Sequence, residues 1–271
     1  MKMDDLAITA VSRNLATLWV GRTYEYVETV TSTNDVLKKR AAELDEAALP
    51  EGAVLVADYQ SRGRGRLGRR WEALPGTSLM LSLLLRPQWP VCQSLWLTMI
   101  AGLAAAEAIE SLTNLSISLK WPNDVGLELD GVWHKLGGVL VEGNVAQNGR
   151  LQYAVLGMGL NVNMTAAQLP EGRTPVTSVL VAGGQRVERC ALLVSFLAGV
   201  ESWYETAVAG QSPVSAWEKR LVTIGRQVTV KQADKTLSGV AVGVDDWGQL
   251  KLSADDGSLH LIAAGDVTLR T

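Results

Sequence analysis

The sequence is poor in the residues that several function classes need. Its two cysteines, Cys92 and Cys190, lie far apart in 271 residues, which excludes a disulfide framework and fits a reducing compartment. Two histidines, His134 and His260, are too few for a histidine-held zinc ion. Long apolar runs are missing: the longest, 95–106, is too short and too interrupted to span a bilayer. The opening residues, MKMDDLAITA, carry two aspartates and no apolar leader core, so no signal peptide is expected, and a cytoplasmic protein is the resulting expectation. Positive charge is not in excess either. A net charge of -3 disfavours a polybasic coat for nucleic acid or membrane, while leaving room for a local basic patch.

What is present is core material. Hydrophobic residues make up 47% and charged residues 20%, enough to bury one large domain, alone or with a small appendage. Residues 1–20 read as a short helix, and Tyr24–Val30 as a strand. Thr31-Ser32-Thr33-Asn34-Asp35 then sets hydroxyls and an amide at a helix start, with Leu37, Ala41 and Leu44 at helical spacing. Strands are expected at 53–58, 79–85, 116–120, 136–142 and 153–163, and helices at 95–111, 187–209 and 214–221. Trp121-Pro122-Asn123-Asp124 and Asp130-Gly131 read as turns. Beyond Ile224 four short strands, at 227–231, 237–244, 249–253 and 259–263, alternate with turns at Asp246-Trp247-Gly248 and Asp256-Gly257. A β-barrel of about 50 residues accounts for them. The chain is thus divided into 1–221 and 222–271.

The most unusual segment follows the second strand: five arginines (62, 64, 66, 69, 70) and three glycines (63, 65, 68) within nine residues. The glycines satisfy G-x-G-x-x-G, the dinucleotide fingerprint, which demands a helix directly after it; Pro75-Gly76 leaves no room for one. Five like charges among glycines repel and are costly to order. The segment reads as a mobile lid that folds over a phosphate or acyl-phosphate, because guanidinium groups suit such oxygens. A merely solvated basic loop and a nucleic-acid loop are the competing readings; few interleaved aromatics disfavour the second.

Further along, Lys120 stands at a strand end, and Asp124, just past a turn, is either a turn cap or a group for Mg²⁺. Lys135 precedes a glycine-bearing strand, and Gly157 and Gly159 interrupt another, where something must come close or the strand is weakened for nothing.

This ordered set, from Ser32-Thr33-Asn34 through the arginine–glycine loop, Lys120–Asp124, Lys135–Gly138 and Gly157–Asn163 to the β-rich end, resembles the biotin protein ligases. The resemblance covers almost the whole chain. It implies an α+β fold: a central mixed β-sheet flanked by helices, like class II aminoacyl-tRNA synthetases, then a small C-terminal SH3-like β-barrel. It implies ATP-dependent ligation of biotin to one lysine of a biotin carboxyl carrier protein, such as that of acetyl-CoA carboxylase, through biotinyl-5′-AMP. Biotin contacts are implied for Ser32, Thr33, Asn34, Gln60, Arg64, Gly65, Arg66, Lys135 and Gly138, with Trp71 walling the pocket. Arg69, Lys120, Asn123 and Asn161 fall on the nucleotide side, and Asp124 is a weak candidate for Mg²⁺ carried on ATP. Lys135, Arg66 and Arg64 are the expected catalytic groups, neutralising charge as carboxylate and phosphate meet. The chain before Ser32 is too short for a repressor domain, so no DNA partner is expected; a homodimer stays open. The alternatives are a lipoate or octanoate ligase on the same fold and a nicotinamide-dependent oxidoreductase using the glycine motif.

Overall fold

A computed structural model describes residues 6–171, 174–232 and 235–269. The first five residues, where part of the leader expectation rests, lie outside that range. The elements in order are α1 (Ile8–Asn14), β1 (Tyr24–Val30), α2 (Thr33–Glu43), β2 (Val54–Gln60), β3 (Ser78–Leu85) and α3 (Ser94–Leu112). Then come β4 (Ser118–Lys120), β5 (Asp124–Leu129), β6 (Val132–Val145), β7 (Leu151–Asn161), α4 (Val179–Gly183), α5 (Arg189–Val208) and α6 (Val214–Glu218). The remaining strands are β8 (Gln227–Lys231), β9 (Thr236–Val244), β10 (Leu250–Ala254), β11 (Leu259–Ile262) and β12 (Asp266–Leu269).

Seven strands make one mixed sheet in the order β1-β2-β3-β7-β6-β5-β4, with β1 and β2 parallel and the others antiparallel. Strand β3, SLMLSLLL, is buried along its whole length because helices cover both faces. Its Leu79, Leu81, Leu83 and Leu85 point into the core shared with α3 and α5. Leu84 points the other way, into a smaller cluster with Leu37 and Ala41 of α2. The period-2 alternation of a strand therefore decides which helix each leucine meets. Helix α3 explains the apolar run at 95–106. By length and composition Val91–Leu112 would cross a bilayer, yet 72% of its most apolar window is buried, packed on the sheet and α5.

The second sheet, β11-β10-β9-β8-β12, is antiparallel and corresponds to the expected small β unit. Tryptophans tie it to the rest of the chain: Trp121 Nε1, in the turn between β4 and β5, donates to Gly248 O at 2.9 Å, and Trp96 Nε1, on α3, donates to Asp246 O at 3.2 Å. The α+β class and the mixed helix-flanked sheet agree with expectation. Three elements were not foreseen. Strand β5 lies between the two expected turns, where only Asp124 had an assignment; its sequence DVGLEL pairs on both sides, with β4 and β6, and that pairing overrides weak local preference. Its hairpin to β6 turns on Asp130 (φ 50°) and Gly131 (φ 76°), the positive pair that a tight two-residue turn requires. Helix α4 and strand β12 have five and four residues, too few to show a period.

Candidate active site

Strand β1 delivers the chain to the N-terminus of α2, where the Ser32 hydroxyl oxygen caps the helix by accepting from Asp35 N at 3.4 Å. Thr33, next in line, donates from both N and Oγ1 to Gln60 Oε1, at 2.8 and 3.2 Å, so the end of β2 and the start of α2 fix each other. Asn34 Oδ1 accepts from Ser82 Oγ at 2.6 Å, while its Nδ2 donates to Leu140 O and Glu142 Oε2, both at 3.2 Å. The interior glycines of β7 now have their reason. A Cβ on Gly157 would lie 2.2 Å from Asn34 Oδ1, and one on Gly159 would lie 2.7 Å from Trp71 Cε2. Only bare backbone lets this amide and this indole lie flat on the strand.

The arginine–glycine segment folds back on itself above this floor. Gly65 N donates to Arg69 O at 2.8 Å and Trp71 N to Gly63 O at 3.0 Å, and an Arg64–Arg70 bridge closes the loop. One short turn, Arg66–Gly68, passes through left-handed backbone at Leu67 (φ 55°) and Gly68 (φ 71°). No long helix follows the glycines, so the dinucleotide reading and the oxidoreductase alternative built on it are corrected. The arginines are anchored individually. Arg64 reaches Asp35 and forks onto Glu142 at 3.0 and 3.1 Å, Arg66 Nη1 donates to Asn123 Oδ1 at 3.0 Å, and Arg69 pairs with Asp266 of β12.

Two further cations complete the roof. Lys135 Nζ sits 2.5 Å from Asp124 Oδ1, with Gly138 beside both. Lys120 Nζ lies 5.4 Å from the ring centre of Trp133. Burial pulls the Lys120 ammonium below the usual lysine range, against the opposing field of Asp124; burial likewise lowers the Arg66 guanidinium, against Asp124 and Asp266. Both groups are thereby left short of the solvation that a bound anion would replace.

These parts line an open cleft between the two sheets. Every binding and catalytic residue picked out from the sequence lines it except Asn161, including Asp124, the candidate for Mg²⁺. Asn161 is buried beside the cleft, its Nδ2 donating to Thr177 O at 3.1 Å, and Thr177 N in turn donates to Lys135 O at 2.9 Å. The sequence reading missed the wall made by Gly265, Asp266 and Val267, which no local motif marks. The 124–135 stretch is the β5–β6 hairpin, and it places Asp124 and Lys135 side by side. Among the described residues no three histidine, cysteine or carboxylate side chains gather to hold a metal, and Asp124 is already taken by Lys135. The described residues do not form a Mg²⁺ site held by protein side chains alone.

The Biotin/lipoate A/B protein ligase family matches residues 26–161, and the Biotin protein ligase C terminal domain matches 223–270. The chain belongs to the biotin/lipoate A/B protein ligase family. Within that family it is 34% identical over 252 residues to a Mycobacterium tuberculosis protein named Biotin--[acetyl-CoA-carboxylase] ligase, covering 91% of this chain and 88% of that one. It is 30% identical over 271 residues to the Bifunctional ligase/repressor BirA of Bacillus spizizenii, covering 99% of this chain and 80% of the relative. Among solved structures, biotin protein ligase from Aquifex aeolicus in complex with biotin and ATP superposes with a TM-score of 0.75 at 28% identity, covering 92% of this chain and 99% of that one.

Proposed function

We propose that this ligase activates biotin with ATP to biotinyl-5′-AMP and transfers the biotinyl group to one lysine of a carrier protein domain. The observation that carries the reading is the polarity of the cleft, an uncharged hydrogen-bonding floor under a cationic roof. On the floor, Gln60 Oε1 is occupied by Thr33, and among the described residues its Nε2 meets only Met80 Sδ, at 3.4 Å. Ser32 Oγ accepts at the helix cap, so its O–H is free to donate. The floor therefore presents donors to a ligand carbonyl, as the ureido oxygen of biotin requires. Trp71 and the glycine-bearing face of β7 give the valerate chain an apolar bed; burying its four methylenes is worth about 3 kcal/mol.

The carboxylate end then lies under Arg64, Arg66 and Lys135. A carboxylate oxygen attacks the α-phosphorus of ATP, the bond from that phosphorus to the bridging oxygen breaks, and pyrophosphate leaves. Two anions must meet, and fixed cations stabilise the charge that develops. In the second step the carrier's lysine amine attacks the acyl carbon, loses a proton, and AMP leaves. Between the steps the closed loop keeps water from the mixed anhydride. Arg69, Lys120 and Asn123 serve the nucleotide side. Asn161 acts at one remove, holding the Thr177 backbone that grips Lys135. We assign any Mg²⁺ to the triphosphate itself, place the reaction in the cytoplasm, read 222–271 as a separate C-terminal domain, and expect no DNA partner; a homodimer is compatible with this scheme.

The test is exchange of labelled pyrophosphate into ATP, run with biotin and with lipoate. Biotin-dependent exchange is expected. Exchange supported by lipoate and not by biotin would move the protein to the lipoate ligases of its family.

A further inference from the structure

Glu142 is not among the residues that line the cleft, yet it bonds two that are, Asn34 and Arg64. It lies on β6 with its side chain 18% exposed. Oε1 accepts from Lys38 Nζ at 3.0 Å and from Arg64 Nη2 at 3.0 Å. Oε2 accepts from Arg64 Nη1 at 3.1 Å and from Asn34 Nδ2 at 3.2 Å. An ionised carboxylate offers about four lone-pair directions, and here each has a donor. Two donors come from helix α2 and two from the tip of the arginine loop.

We propose that Glu142 is a positioning residue that ties the arginine loop to the floor of the biotin site, so that closing the loop and orienting Asn34 depend on one carboxylate. This rests on the biotin reading given above. Asp35 also meets Arg64, but its side chain is 44% exposed, and it offers no bond to Asn34. The fork onto Glu142 fixes the plane of the guanidinium as well as its distance, which a single contact to Asp35 would not. Burial opposes the charge on Glu142, but Lys38, Asn34 and Arg64 outweigh it and hold its carboxyl below the usual glutamate range. The anchor therefore stays ionised through the neutral range.

The substitution Glu142→Gln keeps the shape and turns one acceptor into an N–H₂ facing the donors of Arg64. Trypsin cleavage without ligand reads the tether directly, since the loop is rich in its target residues. We expect cleavage within 62–70 to rise about tenfold while sites elsewhere are unaffected, and the KM for biotin to rise about tenfold with the KM for ATP within about twofold. In an Arg64→Ala background the same change should add little to loop cleavage, because the fork is already gone. Glu142→Asp, which keeps the charge, should recover part of the protection. Equal effects of Glu142→Gln with and without Arg64, or faster cleavage spread over the whole chain, would reduce Glu142 to a general stabiliser and overturn the proposal. Wild-type protein without biotin-dependent exchange would sink the functional reading instead, while the cleavage comparison would still decide the tether.

Discussion

At the scale of single residues, charge and bare backbone divide the labour. Lys135 is bound to Asp124 and held from behind by backbone bonds to Pro175 and Thr177, so its ammonium is pre-positioned. Replacing it with alanine should lower biotin-dependent pyrophosphate exchange by about a hundredfold or more, while ATP binding measured by titration falls far less. Equal losses would assign Lys135 to ground-state binding. Gly157→Ala tests the opposite kind of residue. Its Cβ would press on Asn34 Oδ1, so the amide must shift, and the KM for biotin should rise more than the KM for ATP. Legibility differed between the two kinds. Arginines and lysines announced themselves by type and density, and most of them line the cleft. Gly157 was noticed as a weak point in a strand, but its partner, 123 residues earlier in the chain, was not readable, because contact across a sheet leaves no local trace.

At the scale of elements, the arginine loop decides the most. Its backbone bonds from Gly63 to Trp71 make it a folded unit, and its anchors Asp35, Glu142, Asn123 and Asp266 come from four different segments. Biotin and ATP together should therefore slow proteolysis within 62–70; a cleavage rate indifferent to both would discard the lid. The boundaries of β1, β3, α3 and α5 lay within a residue or two of expectation, since long periodic or continuous apolar segments carry their own signal. Strand β5 did not, because a glycine and two acids at 124–129 become a strand only between β4 and β6. The glycine motif misled in the same way: G-x-G-x-x-G is defined by the helix after it, and here a 3₁₀ turn stands in that place.

At the scale of the molecule, the cleft belongs to neither sheet alone. Trp121 ties the turn before β5 to the second sheet through Gly248 O. Trp121→Phe leaves that carbonyl unpaired and should cost about 1–3 kcal/mol, read as a fall in Tm, with a parallel loss of exchange activity. Far from the cleft, Glu201 of α5 clamps the 18–20 turn by accepting from Leu18 N, Trp19 N and Val20 N at 2.7, 2.9 and 2.8 Å. Burial opposes that charge, but the three N–H groups prevail and hold its carboxyl below the ordinary glutamate range. Its stabilisation is present above the unfolded value, about 4.3, and is lost as pH falls through the lower folded value. Acid unfolding monitored by circular dichroism should be steeper for the wild type than for Glu201→Gln. The division into a large mixed sheet and a small β unit was legible from the change of texture after Ile224. Its contribution to the cleft was not, because Asp266 has no motif and acts only by where β12 sits.

That wall bears on how the cleft is held. Gly265, Asp266 and Val267 reach the cleft through the pairing of β12 with β8. The floor between α2, β2 and β7 is built without them, whereas the carboxylate that fastens Arg69 comes with β12. Loosening β12 from β8 should thus free Arg69 while leaving the opposite side of the cleft built.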